Sequence, residues 1–277
     1  MKLFRFGPAG HEKPGAVDAS GVHRDISSLI DDINPSTIGS GAIEKIRTAK
    51  LDDLPEVKGV RIGPCIATTG NFIAIGLNYT QHAIETNSPI PAEPILFNKA
   101  PSCIVGPNDD VVLPRGSVKS DWEVELAFVM AKKAHYVSES EALSHVLGYC
   151  ICNDISEREF QLERGGQWVK GKCAPTFGPI GPYLVTADEI PDPQKLDLWL
   201  DLNGKRVQNS STSDMIFSIA QIVSYLSQFM LLLPGDLITT GTPPGVGLGM
   251  KPNVFLKKGD VMRLGVDGLG VQEQRVV

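Results

Sequence analysis

Short apolar runs separated by Gly- and Pro-rich turns dominate the chain from residue 72 onward. The runs at 72–76, 95–97, 111–113, 123–130, 146–152, 181–186, 196–202, 237–240 and 261–266 are short and bounded by turn residues, so they predict strands. Two segments carry helical spacing instead. Residues 138–146 open on Ser138 with Glu141 at the capping-box position, and 218–229 ends before Pro234-Gly235. Residues 1–65 predict a small N-terminal α/β unit, with strands at 2–6 and 16–22 and short helices at 25–29 and 42–49. The charged stretch 52–64, with Pro55, Gly59, Gly63 and Pro64, suits a linker or an edge segment, and 70–277 forms the second, larger domain. Strands and helices do not alternate in a βαβ rhythm. The expected class is therefore α+β and β-rich, a roll or sandwich with a few covering helices.

Composition narrows the function. The 277 residues are 42% hydrophobic and carry a net charge of −6 with no basic block, which disfavours a nucleic-acid partner. The longest apolar stretch, 216–233, is interrupted by Ser218, Gln221, Ser224, Ser227 and Gln228, so no membrane span is expected. Residues 1–7 lack the apolar core of a signal peptide, and the five cysteines are odd in number; reduced thiols and a cytoplasmic location are expected. Cys150-Ile-Cys152 has no second Cys or His pair at zinc spacing.

Candidate chemistry begins with Asp121-Trp-Glu-Val-Glu-Leu126. On a strand, Glu123 and Glu125 share a face, where two carboxylates repel unless a cation sits between them. A hard divalent ion is one such partner; a solvated edge strand is the alternative. Asp154, directly after the 146–152 run, is either a third acid of that site or a turn-capping residue. His82 and Glu85 lie three apart after a strand exit, the spacing of a general base with its orienting carboxylate, or of an ordinary surface pair. Lys172 lies in a Gly- and Pro-rich loop, where it suits an anionic group; Lys170 fits as well by composition. The loop Thr239–Gly247 offers hydroxyls and backbone N–H groups without the P-loop pattern.

Taken together, these pieces resemble the fumarylacetoacetate hydrolase superfamily, from about Phe72 to the C-terminus. The carriers are Gly76-Leu-Asn-Tyr-x-x-His-x-x-Glu85, Asp121-x-Glu-x-Glu-Leu126, Asn153-Asp-x-x-x-Arg158, Gly171-Lys172 with Thr176-Phe-x-Pro-x-Gly-Pro182, Asn203-Gly204, Gly235-Asp236 and Thr240-Gly-Thr-Pro-x-Gly-Val246. The resemblance implies a β-roll catalytic domain behind a smaller N-terminal one, usually in a homodimer. It implies Glu123, Glu125 and Asp154 as ligands of Mg²⁺ or Mn²⁺, with Ca²⁺ as a substitute in vitro. His82 and Glu85 match the water-activating dyad, and Lys172 the lysine near the substrate oxo group. Asn78, Tyr79, Arg158 and Thr242 match substrate-contacting positions. Pro175 stands where the family usually has Asp, and Cys173 at a position often small or polar.

The implied reaction is hydrolysis of a 2,4-dioxo acid, an acylpyruvate or a diketo-deoxy sugar acid such as 2,4-diketo-3-deoxyrhamnonate, to pyruvate plus a second acid. The same residues serve oxaloacetate decarboxylation or isomerisation and decarboxylation of a 2-hydroxyhepta-2,4-diene-1,7-dioate type of diacid. A non-catalytic metal-binding homologue is the non-enzyme alternative.

Overall fold

The computed structural model describes residues 1–277. Its strands are β1 (Lys2–Phe6), β2 (Lys13–Val17), β3 (His23–Asp25), β4 (Phe72–Gly76), β5 (Ile95–Lys99), β6 (Ile104–Val105), β7 (Ser120–Asp121) and β8 (Val124–Met130). They continue as β9 (Val146–Asn153), β10 (Ser156–Glu157), β11 (Gly178–Thr186), β12 (Asp197–Leu202), β13 (Lys205–Ser211), β14 (Leu237–Thr239), β15 (Val261–Val266) and β16 (Gly270–Arg275). The fold is α+β and β-rich, as the sequence pattern predicts.

One mixed sheet of ten strands runs in the order β3-β2-β1-β11-β9-β8-β14-β4-β5, with β6 added in parallel to β11. The chain leaving the β5 edge thus returns to an interior strand, folding the sheet back on itself. A four-stranded antiparallel sheet, β13-β12-β15-β16, packs against it. A single cluster of 51 buried residues lies between, drawing Phe128 from the large sheet, Leu198 and Leu264 from the small one, and Ile222 and Leu226 from the helix Ile219–Phe229. Every residue of β8 is buried, which is why its sequence reads as an apolar run rather than an alternation. β1 pairs antiparallel with β11, so β1 to β3 extend the edge of the large sheet.

Several local expectations are corrected. The strand expected at 16–22 ends at Val17, because the Asp18 carboxylate accepts from the N–H of Ser20 and Val22, each at 2.9 Å, and turns the chain. No helix forms at 25–29: Asp25 closes β3 and accepts from Ser27 N at 2.8 Å. Residues 111–113 make only a single bridge, Val111 to Val276. The 138–146 helix is split into Glu139–Ala142 and a 3-10 turn, and the Ser138 hydroxyl donates to the Glu141 carboxylate instead of capping. A full capping box forms at Ser218 and Gln221.

β13 and β16 were not expected, and the reason is chemical. Their buried positions include Gln208, Gln272 and Gln274, so apolar alternation is missing. The amides are satisfied internally. Gln208 accepts from Val124 N at 2.9 Å and donates to Pro243 O at 2.9 Å; Gln272 donates to Ile151 O at 3.0 Å and Gly181 O at 2.9 Å, tying the two sheets together.

Candidate active site

β4 and β14 are parallel, so their carboxyl ends lie at one end of the sheet. β8 is antiparallel to β14, and β9 to β8, which brings the start of β8 and the end of β9 to that same place. Glu125 is the second residue of β8, and Glu123 immediately precedes the strand. Asp154 follows β9, with its N–H bonded to Glu123 O at 2.9 Å. One ligand atom from each of the three carboxylates lies within 4.8 Å of the others. All three residues are buried, at 4%, 2% and 1% exposure.

Three buried carboxylates at this spacing require compensating charge. Lys172 Nζ lies 2.6 Å from Glu123 Oε2 and 2.8 Å from Asp154 Oδ2. Lys99 Nζ lies 2.6 Å from Asp154 Oδ1. Arg158 Nη2 lies 2.7 Å from Glu123 Oε1, an ion pair without hydrogen-bond alignment, and Arg158 Nε donates to Asp121 Oδ2 at 2.9 Å. Every one of these contacts falls on Glu123, Asp154 or Asp121. Glu125 receives only the Gly241 N–H, at 2.9 Å.

The consequence appears in proton affinity. Burial pushes the Glu123 carboxyl up, but Lys172, Arg158 and His82 outweigh it and hold it at about 2. Burial, then the charges of Asp154 and Glu123, push Glu125 well above the usual carboxylate range. Glu125 is therefore the acid that lacks a cation. A hard divalent ion held by oxygen donors fits the set, which contains neither thiol nor imidazole.

His82 comes from the helix Thr80–Glu85, reached from β4 through Gly76-Leu77. Leu77 adopts a left-handed φ of 52°, uncommon for a leucine and concentrated at functional turns. His82 Nδ1 and Glu85 Oε1 are 2.9 Å apart, and Glu85 Oε2 also accepts from Gly245 N at 2.9 Å. With Nδ1 facing the Glu85 carboxylate, Nε2 is the ring nitrogen left open to a ligand. His82, Lys172 and the three acids line one cavity of about 100 Å³.

The remaining expected residues divide. Arg158 and Thr242 line the cavity, but Arg158 is committed to Asp121, Glu123 and Gln161. The Thr242 hydroxyl donates to Val124 O and accepts from Gln208 Nε2, both at 2.9 Å. Asn78 and Tyr79 are not among the lining residues. The Asn78 amide is consumed by Phe217 N and O and by Thr240 O, locking the loop after β14 to the exit of β4. The Tyr79 hydroxyl is buried without a partner. Sequence reasoning assigned no role to Lys99, Asp121 or Trp168. The available signals were a lysine closing the apolar β5 ahead of Ala-Pro, and the acid that opens the Glu-Val-Glu motif.

A family model described as fumarylacetoacetate (FAA) hydrolase C-terminal matches residues 71–277. A protein of Burkholderia cenocepacia (strain HI2424), whose name goes no further than hydrolase, is 55% identical over 277 residues, covering 99% of this chain and 98% of its own length. Among solved structures, 2-hydroxyhepta-2,4-diene-1,7-dioate isomerase from Mycobacterium marinum aligns with a TM-score of 0.80 and 31% identity, over 100% of this chain and 98% of that one. Maleylpyruvate hydrolase from Sphingobium sp. SYK-6, in complex with manganese (II) ion and pyruvate, aligns with a TM-score of 0.82 and 29% identity, over 100% and 99% of the two chains.

Proposed function

The chain belongs to the fumarylacetoacetate hydrolase family, and from that premise we propose that it is a divalent-metal-dependent hydrolase. In this reading it cleaves the C3–C4 bond of a 2,4-dioxo acid, giving pyruvate and a second acid. One observation carries the proposal: a buried three-carboxylate cluster shares a cavity with a histidine whose Nδ1 is fixed by its own carboxylate.

Glu123, Glu125 and Asp154 would hold Mg²⁺ or Mn²⁺; the manganese- and pyruvate-bound neighbour supports a divalent ion and a pyruvate-bearing ligand. The bound ion would supply Lewis acidity at the 2-oxo end of the substrate. His82 Nε2 takes a proton from water, and Glu85 stabilises the imidazolium that forms. The water oxygen attacks C4. As the C3–C4 bond breaks, its electron pair passes to C3, and the proton held by His82 is returned there. Water is consumed, and pyruvate and a carboxylic acid leave. Lys172 sets the positions of Glu123 and Asp154 and adds positive charge where the substrate becomes anionic.

The similarity to a dioate isomerase supports a second reading, in which the same groups only move a proton between carbons. The dyad anchored by Gly245 N favours hydrolysis, because a fixed base positions a water as well as a proton. The proposal includes a homodimer, checked by light scattering. The main test is a Mg²⁺-dependent screen over acylpyruvates, diketo sugar acids, oxaloacetate and hydroxymuconate-type diacids. Turnover of a 2,4-dioxo acid that stops on chelation is expected. Turnover unaffected by chelator, or isomerisation without hydrolysis, overturns it.

A further inference from the structure

We propose that Trp168 is the specificity-determining residue of an apolar acyl subsite, and that the substrate is a monocarboxylate carrying an apolar tail instead of a second carboxylate. This deepens the hydrolase reading above and rests on it. The cavity lining is of two kinds. One is the acids and their cations. The other is Leu77, Phe97, Leu162, Trp168 and Leu248, each of which keeps some exposure in a cavity whose acids are buried; the two kinds meet where Lys172 Nζ lies 5.2 Å from the Phe97 ring centroid.

Trp168 packs against Phe97 and Gly76. Its ring meets Phe97 edge-on, with centroids 5.4 Å apart at 66°. It also lies against Gly76, where a Cβ would come within 2.4 Å of the indole. The indole therefore occupies space that any side chain at position 76 would claim. Trp168 also directly precedes the helix Val169–Lys172, so the acyl wall and the Lys172 ammonium belong to one short segment.

Charge disfavours a diacid. The two cations that line the cavity are both engaged by protein acids: Arg158 with Asp121 and Glu123, and Lys172 with Glu123 and Asp154. Lys99, behind them, is paired with Asp154. On the loop after Arg158, Arg164 pairs with Glu159 and stacks on Phe160, and neither Arg164 nor Lys170 lines the cavity. Thr86, Ser88 and Gln161 also line the cavity, but a distal carboxylate would lose its water against leucine and aromatic surface without meeting an unpaired cation, whereas each methylene of an alkyl tail gains from the same burial.

The test is binding, which does not require turnover. With Mg²⁺ present, calorimetry compares pyruvate, 2-oxohexanoate and 2-oxohexanedioate on the wild type, Trp168→Ala and Trp168→Phe. We expect 2-oxohexanoate to bind at least about tenfold more tightly than the dioate. Trp168→Ala should erase most of that preference, leave pyruvate affinity within about twofold, and be largely rescued by Trp168→Phe. Equal or tighter binding of the dioate overturns the proposal. So does a loss in Trp168→Ala that is equal for pyruvate and 2-oxohexanoate, or failure of all three to bind. If the binding preference holds but no acylpyruvate is hydrolysed, the apolar subsite stands and the hydrolase reading fails.

Discussion

Lys99 and Asp154 form a buried ion pair, Nζ to Oδ1 at 2.6 Å, with side-chain exposures of 0% and 1%. Burial alone would drive Lys99 toward neutrality, but Asp154 dominates and raises its proton affinity, so the lysine stays charged behind the acid cluster. Lys99→Met should lower the stability of the metal-free protein by about 3 kcal/mol, because Asp154 loses a partner where water cannot replace it. It also makes the cluster more negative. The rise in melting temperature on saturating Mn²⁺ should therefore be larger than in the wild type. A smaller rise would show that Lys99 matters mainly for orienting Asp154.

His82→Ala should reduce acylpyruvate hydrolysis by about 10²- to 10⁴-fold while leaving Mn²⁺ binding nearly unchanged. Any oxaloacetate decarboxylation, which needs no attacking water, should fall far less. Steady-state kinetics on both substrates decide the matter, and equal losses would argue against His82 as the base that activates water. Glu85→Gln should be milder in rate, since it keeps an acceptor for Nδ1 and for Gly245 N.

The sequence carried the site more fully than it carried the sheet. Glu123, Glu125, Asp154, His82, Glu85 and Lys172 converge: strand period and i,i+3 spacing are local and pair Glu123 with Glu125 and His82 with Glu85, whereas only the family resemblance joined these pairs to each other, to Asp154 and to Lys172. What stayed hidden depends on distant pairing. Lys99, at the end of β5, reaches Asp154, after β9, in a contact between strands that are not neighbours in the sheet. β13 and β16 hide behind buried glutamines, whose polar character is cancelled by bonds to other strands. Asn78 has the residue type expected of a substrate contact, but its amide closes the backbone of two other segments.

Glu123 and Glu125 should respond in opposite ways to loss of charge. Glu123→Gln in chelator leaves Lys172 and Arg158 short of a counter-charge and should destabilise the protein by about 3 kcal/mol. Glu125→Gln removes a carboxyl whose ionised form sits among like charges and keeps an acceptor for Gly241 N, so the metal-free protein should be at least as stable as the wild type. Both substitutions should weaken Mn²⁺ binding strongly. Denaturant unfolding with and without Mn²⁺ measures all four quantities, and equal destabilisation of the two metal-free variants would overturn this charge assignment.

The same asymmetry fixes a dependence on pH. Glu123, held at about 2, gives stability that is present above the ordinary carboxylate pKa and lost as pH falls toward 2. Glu125 has the reverse sign. Its folded-state pKa is raised, so its contribution is intact when protonated and is lost as pH rises above the ordinary carboxylate value. In chelator, the melting temperature of Glu125→Gln minus that of the wild type should therefore grow from about pH 4.5 upward, until Glu125 is fully ionised in the folded protein. A bound divalent ion compensates the ionised form, so saturating Mg²⁺ should abolish or reverse the difference, and Mg²⁺ binding should release protons within that pH range. Calorimetry in two buffers of different ionisation enthalpy counts those protons. A difference in melting temperature that does not change with pH, together with no proton release, would mean that Glu125 is already compensated within the metal-free protein.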